Sequence, residues 1–482
     1  MKKVNKSKGQ KILENSTTVF LFLLPLLSTT FFYNHFTTLF EVVAIVLIFI
    51  FSIILYPESR HKIKYLLLYY LLCGIYVIFS YNHYLNFNSL VPGNFNYNIV
   101  SELLTILKLM MPITFAYSLY YQKISWNKYI KIIKMWCLLY AGTIIVTNIF
   151  KISLSSYNDK YILKNIFEWN KNNYYQDTAS KGFFVYANQI SLINVLLFVV
   201  LIFDFLKNNK KSLLYILILA FSMLMIGTRV SSLGGLFILI YLFLSYIIFI
   251  FLKKEKYYKK IWLLVLPLLT FIALLPISPF KNRQEEMDVA WQVNNESSEN
   301  VSKIENKVKE EDDNKITYVY NHYNPSYLPA TFFEKYYPIK YDSDFWYDFV
   351  KDHKDYEINY RMIEVSIIKR VKEINNDKND FWWGISNTRI QNIVNIERDI
   401  VLHFYAFGVI GLLLFLLIYI LILGHSIFSV FKLKTYHSII YLTLISLFLL
   451  ISYLTGNIIN SLNAIIPFIF IISGFFERKV DI

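Results

Sequence analysis

Residues 213–252 read LLYILILAFSMLMIGTRVSSLGGLFILIYLFLSYIIFIFL, two apolar runs separated only by Gly227, Thr228 and Arg229. Each run approaches or exceeds the roughly 20 residues an α-helix needs to cross about 30 Å of hydrocarbon. In lipid every backbone N–H and C=O must be satisfied within the segment, so such runs fold as helices; the alternating polar and apolar strands of a barrel are not seen. The same pattern recurs near 17–33, 38–56, 65–84, 99–121, 130–150 and 183–205 before this stretch, and near 261–280, 402–423, 439–455 and 464–476 after it. The reading is an all-α polytopic membrane protein of about twelve spans. Composition agrees: 56% of residues are hydrophobic, 18% aromatic and only 17% charged, outside the range of soluble domains.

Orientation follows from Lys and Arg. With the N-terminus cytoplasmic, the loops on that side hold Arg60, Lys62 and Lys64, then Lys123, Lys128, Lys131 and Lys134, then Lys207, Lys210 and Lys211, then KKEKYYKK from Lys253. Lys432, Lys434, Arg478 and Lys479 continue the series, whereas the opposite short loops near Asn34, Asn82–Asn98 and Asn457 carry no Lys or Arg. Both termini are therefore expected inside, and the basic start MKKVNKSKGQK is expected to lead a retained first span. The net charge of +14 reads as a topology signal; spread over many loops, it does not describe a nucleic-acid surface. The expected division is 1–280 with nine spans, 281–400 as one large extracytoplasmic loop containing short helices, and 401–482 with three spans.

Cys73 and Cys137 both fall in spans and read as packing residues without a disulfide. No Cys/His spacing suggests zinc, and no phosphate loop, nucleophile elbow or HExxH is present, so neither metal nor cofactor is expected. Within the large loop, 283–315 is acidic and reads as a flexible spacer. The following TYVYNHYNPSYLPATFFEKYYPIKYDSDFWYDF suits either stacking on sugar faces or resting on lipid headgroups. Next, EINYRMIEVSIIKRVKEI predicts an amphipathic helix with Tyr360, Ile363, Ile367, Val371 and Ile374 on its apolar side. Arg361 and Arg370, nine residues apart, fall on opposite faces, so at most one can point into a shared site.

Among groups able to carry chemistry, Arg229 is the one basic residue in the short outer turns, and its fork matches phosphate oxygens; the plainer reading is that it reaches lipid phosphates. Glu102 and Lys108 lie inside the fourth span, facing either a cavity or each other. Glu397, Asp399 and His403 sit where a polar segment enters the tenth span, at the outer membrane edge. Together these residue types offer cations for phosphate oxygens and a half-buried carboxylate able to take a proton.

Taken in order, KGFFVYANQIS, MIGTRVSSLGG, the Arg361 helix with WWGISN, and ERDIVLHFYAFGVIGLLLF resemble the superfamily of O-antigen ligases and O-antigen or capsule polymerases. The resemblance implies a GT-C-like fold and transfer of a glycan from undecaprenyl pyrophosphate to an acceptor hydroxyl, without metal or nucleotide sugar, at the outer face of the bacterial plasma membrane. It assigns Arg229 and Arg361, and with a poorer fit Arg370, to the pyrophosphate. Ligases of this kind carry a His-Asn pair ahead of the Gly matching Gly408; this chain has Glu397-Arg398-Asp399, more like the polymerase branch. The base is accordingly expected to be Glu397 first, Asp399 second and His403 third. The implied partners are lipid-linked donor and acceptor oligosaccharides, membrane lipids, a flippase and a chain-length regulator, with no nucleic acid. A polymerase is expected; a ligase and a lipid-linked oligosaccharide flippase are the alternatives.

Overall fold

The computed structural model describes residues 6–30, 35–207, 209–253, 261–286, 312–325, 327–456 and 458–476. Each of the twelve apolar runs lies on a helix. Among the described residues nine of these helices are long and apolar enough to cross a membrane, from Phe36–Leu55 to Tyr436–Leu454, and Ser212–Ile226 and Leu462–Ser473 are shorter apolar ones. The twelfth, Lys8–Ser28, is opened by a capping box in which Ser7 and Gln10 satisfy each other's backbone N–H groups. The only strands among the described residues are the short antiparallel pair Leu154–Ser155 and Ser180–Gly182. The chain is thus an all-α, multi-pass membrane protein.

Two compact units are present: 1–68 with 108–284 and 417–482, and 69–107 with 285–416. Residues 281–284 of the large loop fall in the first unit, and its described residues from Glu285 on group with 69–107 and the first part of the tenth-span helix. The first unit is organised around Ala187–Leu206, in which every residue but Asn188 is buried. A helix that is apolar all round must be enclosed. Here it packs against Ser212–Ile226, Arg229–Lys253, Tyr436–Leu454, Leu462–Ser473 and Trp126–Cys137. Two of its polar side chains bond to neighbouring elements, the Asn194 amide N–H donating to Ser222 at 3.0 Å and the Ser191 hydroxyl lying 2.7 Å from that of Thr228. Cys73 and Cys137 are buried, free thiols.

In the second unit the aromatic stretch makes a core of its own. Phe333, Tyr337, Trp346 and Phe349 are buried, Trp346 meets Phe333 edge-on at 5.8 Å, and its indole N–H donates to the Tyr337 carbonyl at 2.7 Å. These rings are inside the loop, whereas Tyr320, Tyr336 and Tyr341 are exposed. The spacer expected over 283–315 ends earlier than its acidity implied. Residues 312–315 belong to helix Asp312–His322, and Lys315 pairs with Asp344 at 2.6 Å. Residues 287–311, the KKEKYYKK cluster beyond Lys253, the loops at Asn34 and Asn457, and Arg478 and Lys479 lie outside the described residues.

The amphipathic helix runs Tyr360–Asn375, capped by the Asn359 side chain and closed by Asn376 in the left-handed region. Its buried face is Ile363, Glu364, Ile367, Ile368, Val371 and Asn375. Tyr360, expected on that face, stands in the first turn and is 55% exposed, with the Phe332 ring edge-on to it at 5.4 Å.

Candidate active site

The WWGISN and FGV motifs explain each other. Helix Asp399–Leu433 is broken at Gly408, whose φ of 64° and ψ of −171° are not helical, so the single tenth span read from hydropathy is interrupted near its start. Gly384 has φ of 76°. A Cβ on Gly408 would lie 2.3 Å from the Trp382 carbonyl, and one on Gly384 would lie 2.3 Å from the Ala406 carbonyl oxygen. Two backbones cross here at a separation only glycines allow. The break leaves carbonyls without helical donors, and the crossing supplies them: Ile385 N–H donates to Tyr405 at 2.9 Å and Ser386 N–H to Ala406 at 3.0 Å. The hydroxyls of Tyr84 and Tyr76 reach the Ala406 and Phe407 carbonyls, each at 3.0 Å.

Glu102 completes this frame. Its buried carboxylate accepts from the backbone N–H of Asn387 and Thr388 at 3.1 and 3.0 Å, from the Thr388 hydroxyl at 2.8 Å and from Ser386 at 3.4 Å. An anion at the N-terminus of helix Asn387–Ile393 is electrostatically favourable. Glu102 therefore acts as a helix cap, not as an open intramembrane charge; Lys108 is half-buried in its own unit.

On this frame stand the residues before the tenth-span helix. Arg361 Nε lies 3.3 Å from Glu397 Oε2, a single contact between side chains 41% and 52% exposed. Asp399 opens the helix and is buried, and His403, one turn on, is fully buried with its ring edge-on to Phe407. Arg370 meets a different carboxylate, as the spacing from Arg361 requires. Its Nε and Nη2 donate to Asp342 at 2.8 and 3.1 Å. Asp342 is 2% exposed, takes the Tyr337 hydroxyl at 2.8 Å, and caps helix Ser343–Asp352 through Phe345 N–H. That arrangement ties the loop together.

Sequence reasoning passed over Glu364. It is 7% exposed, and its Oε2 accepts the backbone N–H of Glu397 at 3.4 Å. Burial pushes its carboxyl up to about 7, the Glu397 charge adds to the rise, and Arg361 and Arg398 oppose it. The signal was in the sequence: Glu364 interrupts the apolar face of its helix three residues after Arg361, and that spacing makes neighbours.

The Arg229 turn belongs to the first unit. Gly227, at φ of 70°, closes helix Ser212–Ile226, and the Thr228 hydroxyl accepts from Ser231 N–H at 3.2 Å to cap the next helix. Arg229 is the first residue of that helix and is exposed. Tyr157 donates to the Gly227 carbonyl at 2.7 Å, and Arg283 donates to the Tyr157 hydroxyl at 3.2 Å while lying over its ring at 4.5 Å. Burial raises the Tyr157 hydroxyl, and the charges of Arg283 and Arg229 oppose that rise. Neither Arg283 nor Tyr157 carried a sequence signal, since they lie far from Arg229 along the chain.

One further cluster, in the second unit, gathers residues distant in sequence. His83 Nε2 is 2.9 Å from Asp380 and its Nδ1 is 3.4 Å from Asp377, and one ligand atom from each residue falls within 4.8 Å of the others, so the group could hold a cation. Asp380 also takes both bonds of the Asn375 amide, at 3.0 and 2.8 Å. A cleft of about 530 Å³ adjoins it, lined by Asn86, Asn88, Asn375, Asn376 and Asp377 with Leu85 and Phe87. Amides and a carboxylate of this kind suit sugar hydroxyls.

No curated protein and no solved structure matches the chain. The model of one family, described as O-antigen ligase like membrane protein, matches residues 13–477. With nearly the whole chain matched and the Arg229 turn, the Arg361 helix and the Gly384–Gly408 crossing all inside the match, this protein belongs to the O-antigen ligase-like membrane protein family.

Proposed function

We propose that the protein is a polysaccharide polymerase that joins undecaprenyl-pyrophosphate-linked oligosaccharide repeat units at the outer face of the plasma membrane, with both termini cytoplasmic and the large loop outside. Family membership supports a role in glycan assembly. The observation that carries the finer reading is the Arg361 cluster: an exposed guanidinium held by one long contact to Glu397, beside a buried second carboxylate, Glu364. An exposed pair of this kind contributes little stability, roughly 0–1 kcal/mol, and can be exchanged for a phosphate.

The step is a substitution at the anomeric carbon. The acceptor sugar's hydroxyl oxygen forms the new bond from the opposite face, the bond to the pyrophosphate oxygen breaks, and undecaprenyl pyrophosphate leaves with the electron pair. The hydroxyl proton passes to a carboxylate of the Arg361 cluster. Arg361, and in the first unit Arg229, are proposed ligands for pyrophosphate oxygens, answering the leaving group's growing charge as a metal ion would; Arg370, tied to Asp342, is assigned to loop structure. The transfer is proposed to be metal-independent. Loss of activity in EDTA, restored by Mg²⁺, would overturn that part and bring the His83 cluster forward.

A second reading, a ligase that moves finished glycan to a lipid or protein acceptor, is favoured by the description of the matched family. Sizing surface glycan from cells lacking the protein separates the two. Loss of a polymerase leaves single repeats, and loss of a ligase leaves long unattached chains. For orientation, a cysteine placed at Asn314 is expected to react with impermeant reagent in intact cells; labelling only after permeabilisation would reverse the proposed topology.

A further inference from the structure

We propose that Glu364 is the catalytic base that takes the acceptor hydroxyl's proton, and that Glu397 is the positioning residue that holds Arg361 until donor phosphate replaces it. This rests on the transfer reaction proposed above and divides two roles that the sequence had merged in Glu397.

The two carboxylates differ in surroundings. Glu397 is 52% exposed and points at a guanidinium, so its carboxylate is occupied in holding Arg361. Glu364 lies on the buried face of its helix, with Ile363, Ile367 and Ile368 as neighbours on that face. Its Oε2 is fixed by the Glu397 N–H at 3.4 Å, and among the described residues nothing donates to its Oε1. One oxygen is oriented by the backbone while the other has lone pairs for a hydroxyl, the arrangement a general base requires. Asp399 and His403, the other expected candidates, are 1% and 0% exposed and offer an incoming hydroxyl less access.

The charges facing Glu364 are Arg361 on its own helix and Glu397 and Arg398 on the segment packed against it. With its carboxyl near 7, the group is largely protonated in mild acid and free to accept a proton just above neutrality. The sequence of events follows. Donor pyrophosphate takes Arg361 from Glu397, the acceptor hydroxyl is deprotonated by Glu364 as its oxygen attacks, and the proton leaves to solvent once the product departs.

The test uses full-length protein in liposomes and lipid-linked oligosaccharide extracted from cells lacking the protein, with kcat and KM followed from about pH 5 to 9. For the wild type, kcat/KM is expected to rise through a limb near 7. Glu364→Gln is expected to lower kcat by about 10²- to 10⁴-fold, with donor KM little changed and the limb abolished. Glu397→Gln should keep a limb, moved somewhat to lower pH, and otherwise change mainly donor KM. Activity of Glu364→Gln within threefold of wild type, limb intact, overturns the assignment. Should Glu364→Gln fail to reach the membrane, Glu364→Asp decides: a lowered kcat with a displaced limb supports the role, and an unmoved limb refutes it. A wild-type protein inert toward this donor would instead overturn the transfer reaction itself.

Discussion

The Arg229 turn in the first unit and helix Tyr360–Asn375 in the second treat their arginines differently. In the first, Arg229 and Arg283 approach Tyr157, and among the described residues neither has a carboxylate partner. In the second, both arginines of helix Tyr360–Asn375 are paired, Arg361 loosely with Glu397 and Arg370 by two bonds with buried Asp342. The difference separates three uses of one side chain. A guanidinium without an internal anion is ready for an external one. A guanidinium with a single, solvated contact can exchange it. One locked to a desolvated carboxylate is architecture, since removing either partner strands the other's charge or hydrogen bonds.

The largest effect is expected where the second unit is disrupted and the first is not. Gly408→Ala or Gly384→Ala forces a Cβ to 2.3 Å from a backbone carbonyl, where neither chain can yield. Membranes should contain little folded protein, or protein whose large loop is cleaved by added protease under conditions that spare the wild type. Normal protease resistance in either variant would mean that the crossing is not required. Next come Arg229→Ala and Arg361→Ala, each expected to lower kcat/KM about 10²- to 10³-fold at normal protein level, as removal of a donor that stabilises developing charge does. Lysine should rescue each only in part, because a point charge cannot reproduce the fork. Full activity in Arg361→Ala would break the comparison by making the Arg361–Glu397 pair structural.

Arg370→Ala should do the reverse, costing about 3–5 kcal/mol in stability of the loop by leaving Asp342 buried and unpaired, with kcat/KM changed less than tenfold. A thermal or denaturant melt followed by Trp fluorescence reads this directly. An Arg370→Ala protein as stable as wild type but inactive would return Arg370 to the donor site. The smallest expected change is in Glu397→Gln, where loss of the neighbouring negative charge should move the Glu364 limb to lower pH. The sign follows from like charge: Glu397 raises the Glu364 carboxyl, so neutralising it lets the proton leave earlier. A limb that moves upward would show that Glu397 does not act on Glu364.

Much was legible from hydropathy alone. A helix length fixed by bilayer thickness, and the need to close backbone hydrogen bonds inside the segment, place each of the twelve apolar runs on a helix. The Arg229 turn was equally legible, because Gly227 and Thr228 are local stop and start signals that act on their immediate neighbours. The amphipathic helix and the separate facing of Arg361 and Arg370 followed from a fixed angle per residue.

What only the tertiary structure decided is which polar groups share a neighbour. Glu102 looked like an intramembrane charge until residues 386–388 brought four donors to it. Arg370 could not be told from a phosphate ligand until Asp342 proved buried beside it. Glu397 stood out because it precedes an apolar helix, yet its exposure and its bond to Arg361, 36 positions away, are tertiary facts that no local pattern encodes. Periodicity and hydropathy act over one or two helical turns and are written in consecutive residues. Desolvation and pairing depend on groups tens to hundreds of positions apart, and the properties of Glu364, Arg361 and Arg370 are set by such partners.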